Sequence, residues 1–121
     1  MADKPAIPLT GAIKAGDFIY VSGMVAAQEN GEFFVGDFPK EVNLTIDSLE
    51  RKLATHGADL SHVIKVGAYL SNPLLFAEFN KVYAERFTES RPTRTTVAVF
   101  FAHPNVRVEM DCVAYVGNDR S

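Results

Sequence analysis

The sequence contains one cysteine, no tryptophan and no long apolar segment. A single cysteine, Cys112, cannot form an internal disulfide, and its place in an alternating pattern predicts a small buried side chain rather than a nucleophile. No apolar run approaches the roughly 18 residues that a membrane span needs, and the first residues lack the apolar core of a signal peptide. These absences predict a soluble cytoplasmic protein with no membrane partner.

Positive charge is also scarce. The chain has 12 Lys and Arg against 15 Asp and Glu, which gives a net charge of -3. Proteins that bind the phosphate backbone usually present a basic face, so nucleic acid is not an expected partner. The three histidines, His56, His62 and His103, do not have the spacing of metal ligands, so we predict no metal site.

Length and composition predict one domain over residues 1–121. A chain of 121 residues that is 47% hydrophobic can bury one compact core, and no linker or repeat divides it. Residues 117–121 are polar and glycine-containing, and we expect them to form a frayed tail.

Short stretches of aromatic and β-branched residues, bounded by glycine, proline or asparagine, predict the strands. They cover residues 7–13, a weak candidate, and then 16–23, 63–70, 95–101 and 106–116. Asn30-Gly31 predicts a turn followed by a short extended piece, and residues 103–105 predict the turn between the last two strands.

Two segments have the period of a helix. From about Phe38, apolar residues recur at spacings of four, three and four, and Gly57 stands where a helix C-cap would be. Ser71-Asn72-Pro73 predicts the start of a second helix, which ends before Arg91. The side chains predicted to point inward are Val42, Ile46, Leu49 and Leu53 in the first helix, and Leu75, Phe76, Phe79, Val82, Tyr83 and Phe87 in the second.

The predicted order is β-β-α-β-α-β-β, an α+β fold with five or six strands. Two helices can cover one face of such a sheet. The other face would stay bare although it is partly apolar, so we expect it to be buried against further copies of the chain.

Two segments near the C-terminal end of the chain indicate a binding site. Residues 91–97 place Arg94 near the start of one strand, and residues 108–111 place Glu109 on the next. A guanidinium binds a carboxylate through two parallel hydrogen bonds, and a glutamate can hold water or transfer a proton. The pair predicts a site for a small carboxylic acid, although Arg and Glu on neighbouring strands are often only solvated cross-strand partners.

Four segments together resemble successive motifs of the Rid family, also known as the YjgF/YER057c/UK114 family. They are residues 12–23 (AIKAGDFIYVSG), 76–84 (FAEFNKVYA), 91–97 (RPTRTTV) and 108–111 (VEMD), in the family's order and spacing. The resemblance implies a chorismate-mutase-like α+β fold and a homotrimer whose sheets form a central barrel, with clefts between subunits. It also implies hydrolysis of 2-imino or enamine acids, of the 2-iminobutanoate and 2-iminopropanoate type, to 2-keto acids and ammonia.

The resemblance implies a role for each matching residue. Arg94 matches the arginine that binds the substrate carboxylate, and Glu109 matches the acid that contacts substrate or the attacking water. Gly23 matches a glycine whose backbone lines the cleft, and Asn80 matches a helix asparagine that supports the cleft. Without the resemblance, Gly23 would be interpreted as a strand-ending turn and Asn80 as an amide on the helix surface. His103 lies in a turn that borders the cleft in relatives, although an exposed turn histidine is the simpler interpretation.

Two positions depart from the family's pattern. Many catalytic members have a tyrosine near the first strand and a cysteine two residues after the arginine, whereas this chain has Leu9 and Thr96 there. Thr96 keeps a hydroxyl that can donate or accept a hydrogen bond, but Leu9 cannot replace a phenol. We therefore expect the carboxylate site to persist and the preference for the substrate side chain to change.

Two functions stay open at this stage. A protonated imine carbon is already electrophilic, so an imine deaminase needs only to hold the carboxylate, position a water and move a proton, with neither metal nor organic cofactor. The alternative is a non-catalytic protein that binds small carboxylates or acts as a chaperone-like regulator. RNA cleavage, which is also linked to the family, is the least favoured because the chain is acidic and has no histidine pair.

Overall fold

The structure, a computed structural model, describes residues 8–28 and 30–118. The predicted involvement of Ile7 in the first strand, and the part of the predicted tail beyond residue 118, lie outside the described residues. The elements follow the predicted order, and they are β1 (Ala12–Ala15), β2 (Phe18–Val25), α1 (Phe38–Ala54), β3 (Val63–Leu70), α2 (Phe76–Arg86), β4 (Thr93–Ala98) and β5 (Val108–Tyr115).

The five strands form one mixed sheet in the order β1-β2-β5-β3-β4. All neighbouring pairs are antiparallel except β3 and β4, which are parallel. A parallel pair needs a crossover connection, and α2 lies in the chain between these two strands. The sheet therefore ends on β4, an edge strand that carries Arg94.

The bounds of β3 are as predicted, and those of the other strands are shifted. The prediction that residues 8–11 belong to the first strand is wrong, because β1 begins at Ala12 and continues past Ile13 to Ala15. β4 begins at Thr93 and ends at Ala98, and β5 is shorter than predicted at both ends. β2 runs through Gly23 to Val25, because the pairing with β5 shifts register between Val21 and Met24. Gly23 thus lies at an irregularity inside a strand, and its interpretation as a strand-ending turn is wrong.

Helix α1 forms as its sequence predicts. The Asp37 side chain caps it by accepting a hydrogen bond from the Lys40 N–H at 3.1 Å, and Pro39 occupies the first turn, where no N–H is needed. Gly57 adopts a φ of 72° just beyond the helix, a conformation that only glycine adopts without strain. The four predicted inward residues, Val42, Ile46, Leu49 and Leu53, are all fully buried.

Helix α2 begins in two steps. Asn72 caps a single 3-10 turn, Pro73–Leu75, by accepting a hydrogen bond from the Leu74 N–H at 2.8 Å, and the α-helix follows from Phe76. Phe79, Val82 and Phe87 are buried as predicted. Phe76 is 45% exposed, so the prediction that it points inward is wrong. It stands at the first position of the helix, where its ring lies over the guanidinium of Arg94 on the edge strand instead of entering the core.

The two faces of the sheet have different surroundings. Along β5, Val108, Met110, Cys112 and Ala114 are buried, and these four belong to the same core as the inward residues of both helices. The residues between them point to the other face and are only half-buried. That open face includes the exposed apolar side chains Ile13, Phe18, Tyr20 and Val97. Its burial against other copies stays a prediction.

One buried ion pair joins the start of α1 to the start of β5. Glu41 is 1% exposed and accepts hydrogen bonds from Arg107 Nε at 3.0 Å and from Arg107 Nη2. The same carboxylate also accepts from the Gly36 N–H at 3.2 Å. The hydrogen bond to Glu41 raises the pKa of Arg107, so the guanidinium keeps its positive charge.

We expect Glu41→Gln to lower the free energy of unfolding by roughly 2 kcal/mol, because it leaves Arg107 without its counter-charge. This figure lies between the losses typical of exposed ion pairs and those of fully buried ion pairs. Urea denaturation at pH 7 measures the change. The exposed Glu32→Gln is the control that removes the same charge from the surface. A loss for Glu41→Gln no larger than that of the control would contradict the assignment.

Candidate functional site

Arg94 lies on the helix-covered side of β4. It pairs in register with Val66 of β3, which is fully buried beneath the helices. Its guanidinium carbon lies 4.6 Å from the ring centre of Tyr83, 5.3 Å from that of Phe79 and 5.8 Å from that of Phe76. Among the described residues no carboxylate pairs with it. Three aromatic faces stabilise this cation without neutralising it, so it remains free to bind an anion.

Three buried polar atoms that find no hydrogen-bond partner in the described part of the chain accompany this arginine. They are Asn80 Oδ1, Tyr83 Oη and Thr96 Oγ1. Asn80 and Tyr83 are three residues apart on one face of α2, and Thr96 lies two residues after Arg94 on the same side of β4. A buried polar atom without a partner costs free energy, so a cluster of three indicates groups kept for a ligand or a second chain. We call these four residues the Arg94 group.

Two cavities adjoin the Arg94 group. One of about 460 Å³ is lined by Arg94, Asn80 and Tyr83, with Ala84, Phe87, Arg91 and Pro92. The other, of about 240 Å³, is more apolar and is lined by Thr96 and Phe76, with Leu70, Pro73, Val97 and Ala98. A polar recess beside an apolar one suits a molecule with a charged end and a short aliphatic side chain.

Glu109 and Gly23 form a second cluster on the open face. A Cβ at Gly23 would lie 3.0 Å from Glu109 Cδ, so any other residue there would displace this carboxylate from its position. Nearby on β5, Asp111 accepts a hydrogen bond from the Tyr69 hydroxyl at 2.8 Å. Burial raises the pKa of Glu109, and the negative charge of Asp111 raises it further. We call these four residues the Glu109 group.

The two groups lie on opposite faces of the sheet. Arg94 is in register with Val66, and Val66 with Cys112, all on the helix side. Glu109 is in register with Tyr69, and Tyr69 with Val97, all on the open side. Because strand residues alternate between faces, one chain does not bring Arg94 and Glu109 into one cleft. A site that uses both residues has to combine two copies of the chain.

Leu9 and His103, the other two predicted site residues, are both exposed. Leu9 is followed by Thr10, whose carbonyl accepts a hydrogen bond from the Ser22 hydroxyl at 2.7 Å, so its segment runs beside the part of β2 that holds Gly23. The ring of His103 packs edge-to-face on Phe33, with ring centres 4.6 Å apart. By these contacts His103 joins neither group.

Sequence reasoning assigned Tyr83 and Phe76 to the core. Tyr83 does pack against the core, and its ring also faces the guanidinium of Arg94. Phe76 lies outside the core, and its ring lies over the guanidinium of Arg94 at the sheet edge. The signal for Tyr83 was present, because it falls three residues after Asn80 and is the one phenol among the phenylalanines of α2. Phe76 carried no comparable signal, since an apolar residue at helical spacing is usually core.

Other kinds of chemistry find little support in the described part of the chain. Within residues 8–28 and 30–118, no three His, Cys, Asp or Glu side chains converge as a metal site would require. The Cys112 thiol is buried, which raises its pKa to about 12, so it is not a nucleophile at neutral pH. None of the helices described is both long and apolar enough to span a bilayer.

Comparisons with known proteins cover nearly the whole chain. Residues 1–116 match the sequence profile of the family described as Endoribonuclease L-PSP. A RutC family protein of Pyrococcus abyssi is 39% identical over 94% of this chain and 91% of its own length. The 3-aminoacrylate deaminase RutC of Acinetobacter baylyi is 32% identical over 93% of this chain and 90% of its own.

A solved structure has the same fold. The crystal structure of yeast Mmf1 superposes with a TM-score of 0.87 at 30% identity, and the match covers 96% of this chain and 93% of that one. The predicted α+β fold, with two helices and five strands, is confirmed. The trimeric barrel is not a property of one chain and stays a prediction.

The raised pKa of Glu109 predicts a dependence of stability on pH. A carboxyl whose pKa is higher in the folded state favours folding when protonated and opposes it when ionised. We therefore expect Glu109→Gln to raise the melting temperature at pH 7, and the difference from wild type to disappear as the pH falls below the ordinary pKa of glutamate. Melting curves at pH 7 and pH 4 measure it.

Glu89→Gln, which removes an exposed carboxylate, is the matched control and should leave the melting temperature unchanged at both pH values. A Glu109→Gln protein that melts below wild type at pH 7 would contradict the account, because it would mean that the charge stabilises the fold.

Proposed function

Because the chain belongs to the Endoribonuclease L-PSP family, which is the Rid family that its motifs resemble, we propose that it hydrolyses 2-imino or enamine acids to 2-keto acids and ammonia. Deaminase activity exists in the family, as the name of the Acinetobacter relative states. The observation that carries the proposal is the Arg94 group. Within residues 8–28 and 30–118, its half-buried guanidinium has no counter-charge and the polar atoms next to it have no hydrogen-bond partners. Such a site fits a small carboxylate.

In the proposed reaction, Arg94 binds the substrate carboxylate through two parallel hydrogen bonds and thereby fixes the neighbouring carbon. The protonated imine carbon accepts a water molecule, one proton moves from this water to the nitrogen, and ammonia leaves as the carbonyl forms. Glu109 orients the water, takes this proton from it and passes it to the nitrogen, and the water's second proton leaves with the ammonia as ammonium when the carbonyl forms. Burial raises the pKa of this carboxyl, which makes it a stronger base than an exposed glutamate.

The proposed site lies between subunits of a homotrimer. Arg94 and Glu109 occupy opposite faces of one sheet, so the Arg94 group of one chain would meet the Glu109 group of its neighbour. The exposed apolar residues of the open face, Ile13, Phe18, Tyr20 and Val97, support association through that face. Gly23 would then line the cleft with its backbone, next to Glu109.

We also propose that the substrate is small and aliphatic, as in the 2-iminopropanoate and 2-iminobutanoate class. The apolar cavity beside Thr96 has about 240 Å³, enough for a short side chain. The RutC relative is named for 3-aminoacrylate, itself a small enamine acid, which agrees with this size. Leu9 contributes an apolar surface where many relatives have a phenol, so we expect a shift in side-chain preference.

Two other activities need a test. A non-catalytic protein that binds small carboxylates, or a chaperone-like regulator, would use the Arg94 group without any turnover. RNA cleavage, which the family's name suggests, would require the phosphate backbone to approach a chain of net charge -3. Binding of carboxylates without imine hydrolysis would favour the first of these.

The cytoplasmic location also belongs to the proposal. A buried free thiol at Cys112 suits a reducing compartment. The yeast relative Mmf1 is named as mitochondrial, so the fold also serves an organelle. Microscopy of the tagged protein in its own cell would separate these locations.

We expect Arg94→Ala to lower the rate of imine hydrolysis by well over tenfold, because it removes the group that positions the substrate. An amino-acid oxidase would generate imines from a panel of amino acids, with semicarbazide trapping the imine that survives. Arg94→Lys should retain part of the activity, since it keeps the charge and loses the paired hydrogen bonds.

Arg51→Ala is the control, because Arg51 is exposed on α1, outside both groups. Its activity should equal that of wild type. Undiminished hydrolysis by Arg94→Ala would refute the proposed role of Arg94, and no hydrolysis of any imine by wild type would favour the non-catalytic alternative.

A further inference from the structure

The hydroxyl of Tyr83 is the feature of the Arg94 group that no role yet explains. Its oxygen is buried without a hydrogen-bond partner in the described chain, although its ring lies 4.6 Å from the guanidinium carbon of Arg94. A phenylalanine would fill the same space without the cost of burying a hydroxyl, and α2 uses phenylalanine at its other buried aromatic position, Phe79. The hydroxyl therefore requires an explanation that packing does not supply.

We propose that the Tyr83 hydroxyl donates a hydrogen bond to the carboxylate of the bound acid, so that a phenol and the Arg94 guanidinium recognise that carboxylate together. The inference rests on the proposed function for the class of ligand, a small 2-imino or 2-oxo carboxylate. It adds a substrate-binding residue on helix α2 to those on the strands.

The packing of the ring supports this role. Tyr83 stacks on Phe87, with ring centres 4.4 Å apart, and lies against Phe79 at 5.6 Å. These contacts fix the ring, and hence the direction of the hydroxyl, before any ligand binds. A donor held in place in advance binds its acceptor at little cost in conformational entropy. Tyr83 also lines the same 460 Å³ cavity as Arg94 and Asn80.

The hydrogen-bonding capacity of each neighbouring group indicates which part of the ligand that group can bind. A carboxylate only accepts hydrogen bonds, so it needs donors, which are Arg94, the Tyr83 hydroxyl and the Thr96 hydroxyl. Asn80 Oδ1 only accepts and cannot serve the carboxylate, but it suits the N–H of an imine or enamine. Burial raises the pKa of Tyr83, which outweighs the opposing effect of Arg94, so the phenol keeps its proton at neutral pH.

Stability distinguishes a ligand-binding hydroxyl from a structural one. Removing a hydroxyl that has no partner within the protein is neutral or stabilising, whereas removing one that bonds another protein group lowers stability. Tyr83→Phe should therefore leave the melting temperature unchanged or raise it, while it weakens ligand binding.

The test uses pyruvate, a stable 2-oxo carboxylate, titrated by calorimetry into the wild-type protein and into Tyr83→Phe. We expect the Kd for pyruvate to rise about tenfold or more, the usual effect of losing a hydrogen bond to a charged group. In the imine assay KM should rise with kcat nearly unchanged, since the carboxylate is bound alike in ground and transition states. Tyr20→Phe, which removes an exposed hydroxyl on the open face, should change neither quantity.

Each other outcome is also decisive. Equal pyruvate affinity in Tyr83→Phe and wild type, with binding lost in Arg94→Ala, overturns the role of Tyr83 and leaves the proposed function standing. A lowered melting temperature in Tyr83→Phe also overturns it, because the hydroxyl then has a protein partner, such as a neighbouring subunit. Pyruvate binding that depends on Tyr83, without hydrolysis of any imine, supports the inference and defeats the deaminase. No pyruvate binding by wild type overturns the inference.

Discussion

The proposed site depends on one constraint of the sheet. Side chains alternate between its two faces along each strand, and helices cover only one of those faces. This constraint places Arg94 under α2, against three aromatic rings, and Glu109 on the face without helices. The same alternation leaves apolar residues such as Phe18 and Tyr20 exposed on the same face of the sheet as Glu109. A single chain therefore carries two halves of the proposed site and an exposed apolar surface that could bring copies together.

Both halves hold groups that work against the stability of the fold. The Arg94 group buries polar atoms that lack partners among the described residues. The Glu109 group half-buries one carboxylate near another, and this burial, followed by the charge of Asp111, raises the pKa of Glu109. The core of Val42, Ile46, Leu49 and neighbouring residues, and the buried pair of Glu41 and Arg107, offset these costs away from the site. Such a distribution is typical of proteins in which binding groups are arranged for a ligand rather than for the fold.

Local patterns in the sequence sufficed for the element order, the inward residues of α1 and the bounds of β3. They did not reveal that Gly23 lies at a register shift inside β2, because a glycine at a strand end and one at a bulge look alike. Nor did they reveal that Arg94 and Glu109 face opposite ways. That relation depends on β3 lying between β4 and β5, and a shift of one residue in either pairing would reverse it. The resemblance to the Rid family named the proposed site residues, but the geometry divides most of them between two groups and leaves Leu9 and His103 outside both.

Mixing two inactive variants tests this division most directly. Arg94→Ala and Glu109→Ala would be unfolded together, refolded as mixed oligomers and assayed for imine hydrolysis beside each variant alone. If Arg94 of one subunit works with Glu109 of its neighbour, random mixing restores about a quarter of the wild-type activity, because a quarter of the interfaces contain both intact residues. No gain over the separate variants, in oligomers shown to be mixed, would mean that the two residues do not act in one site between subunits.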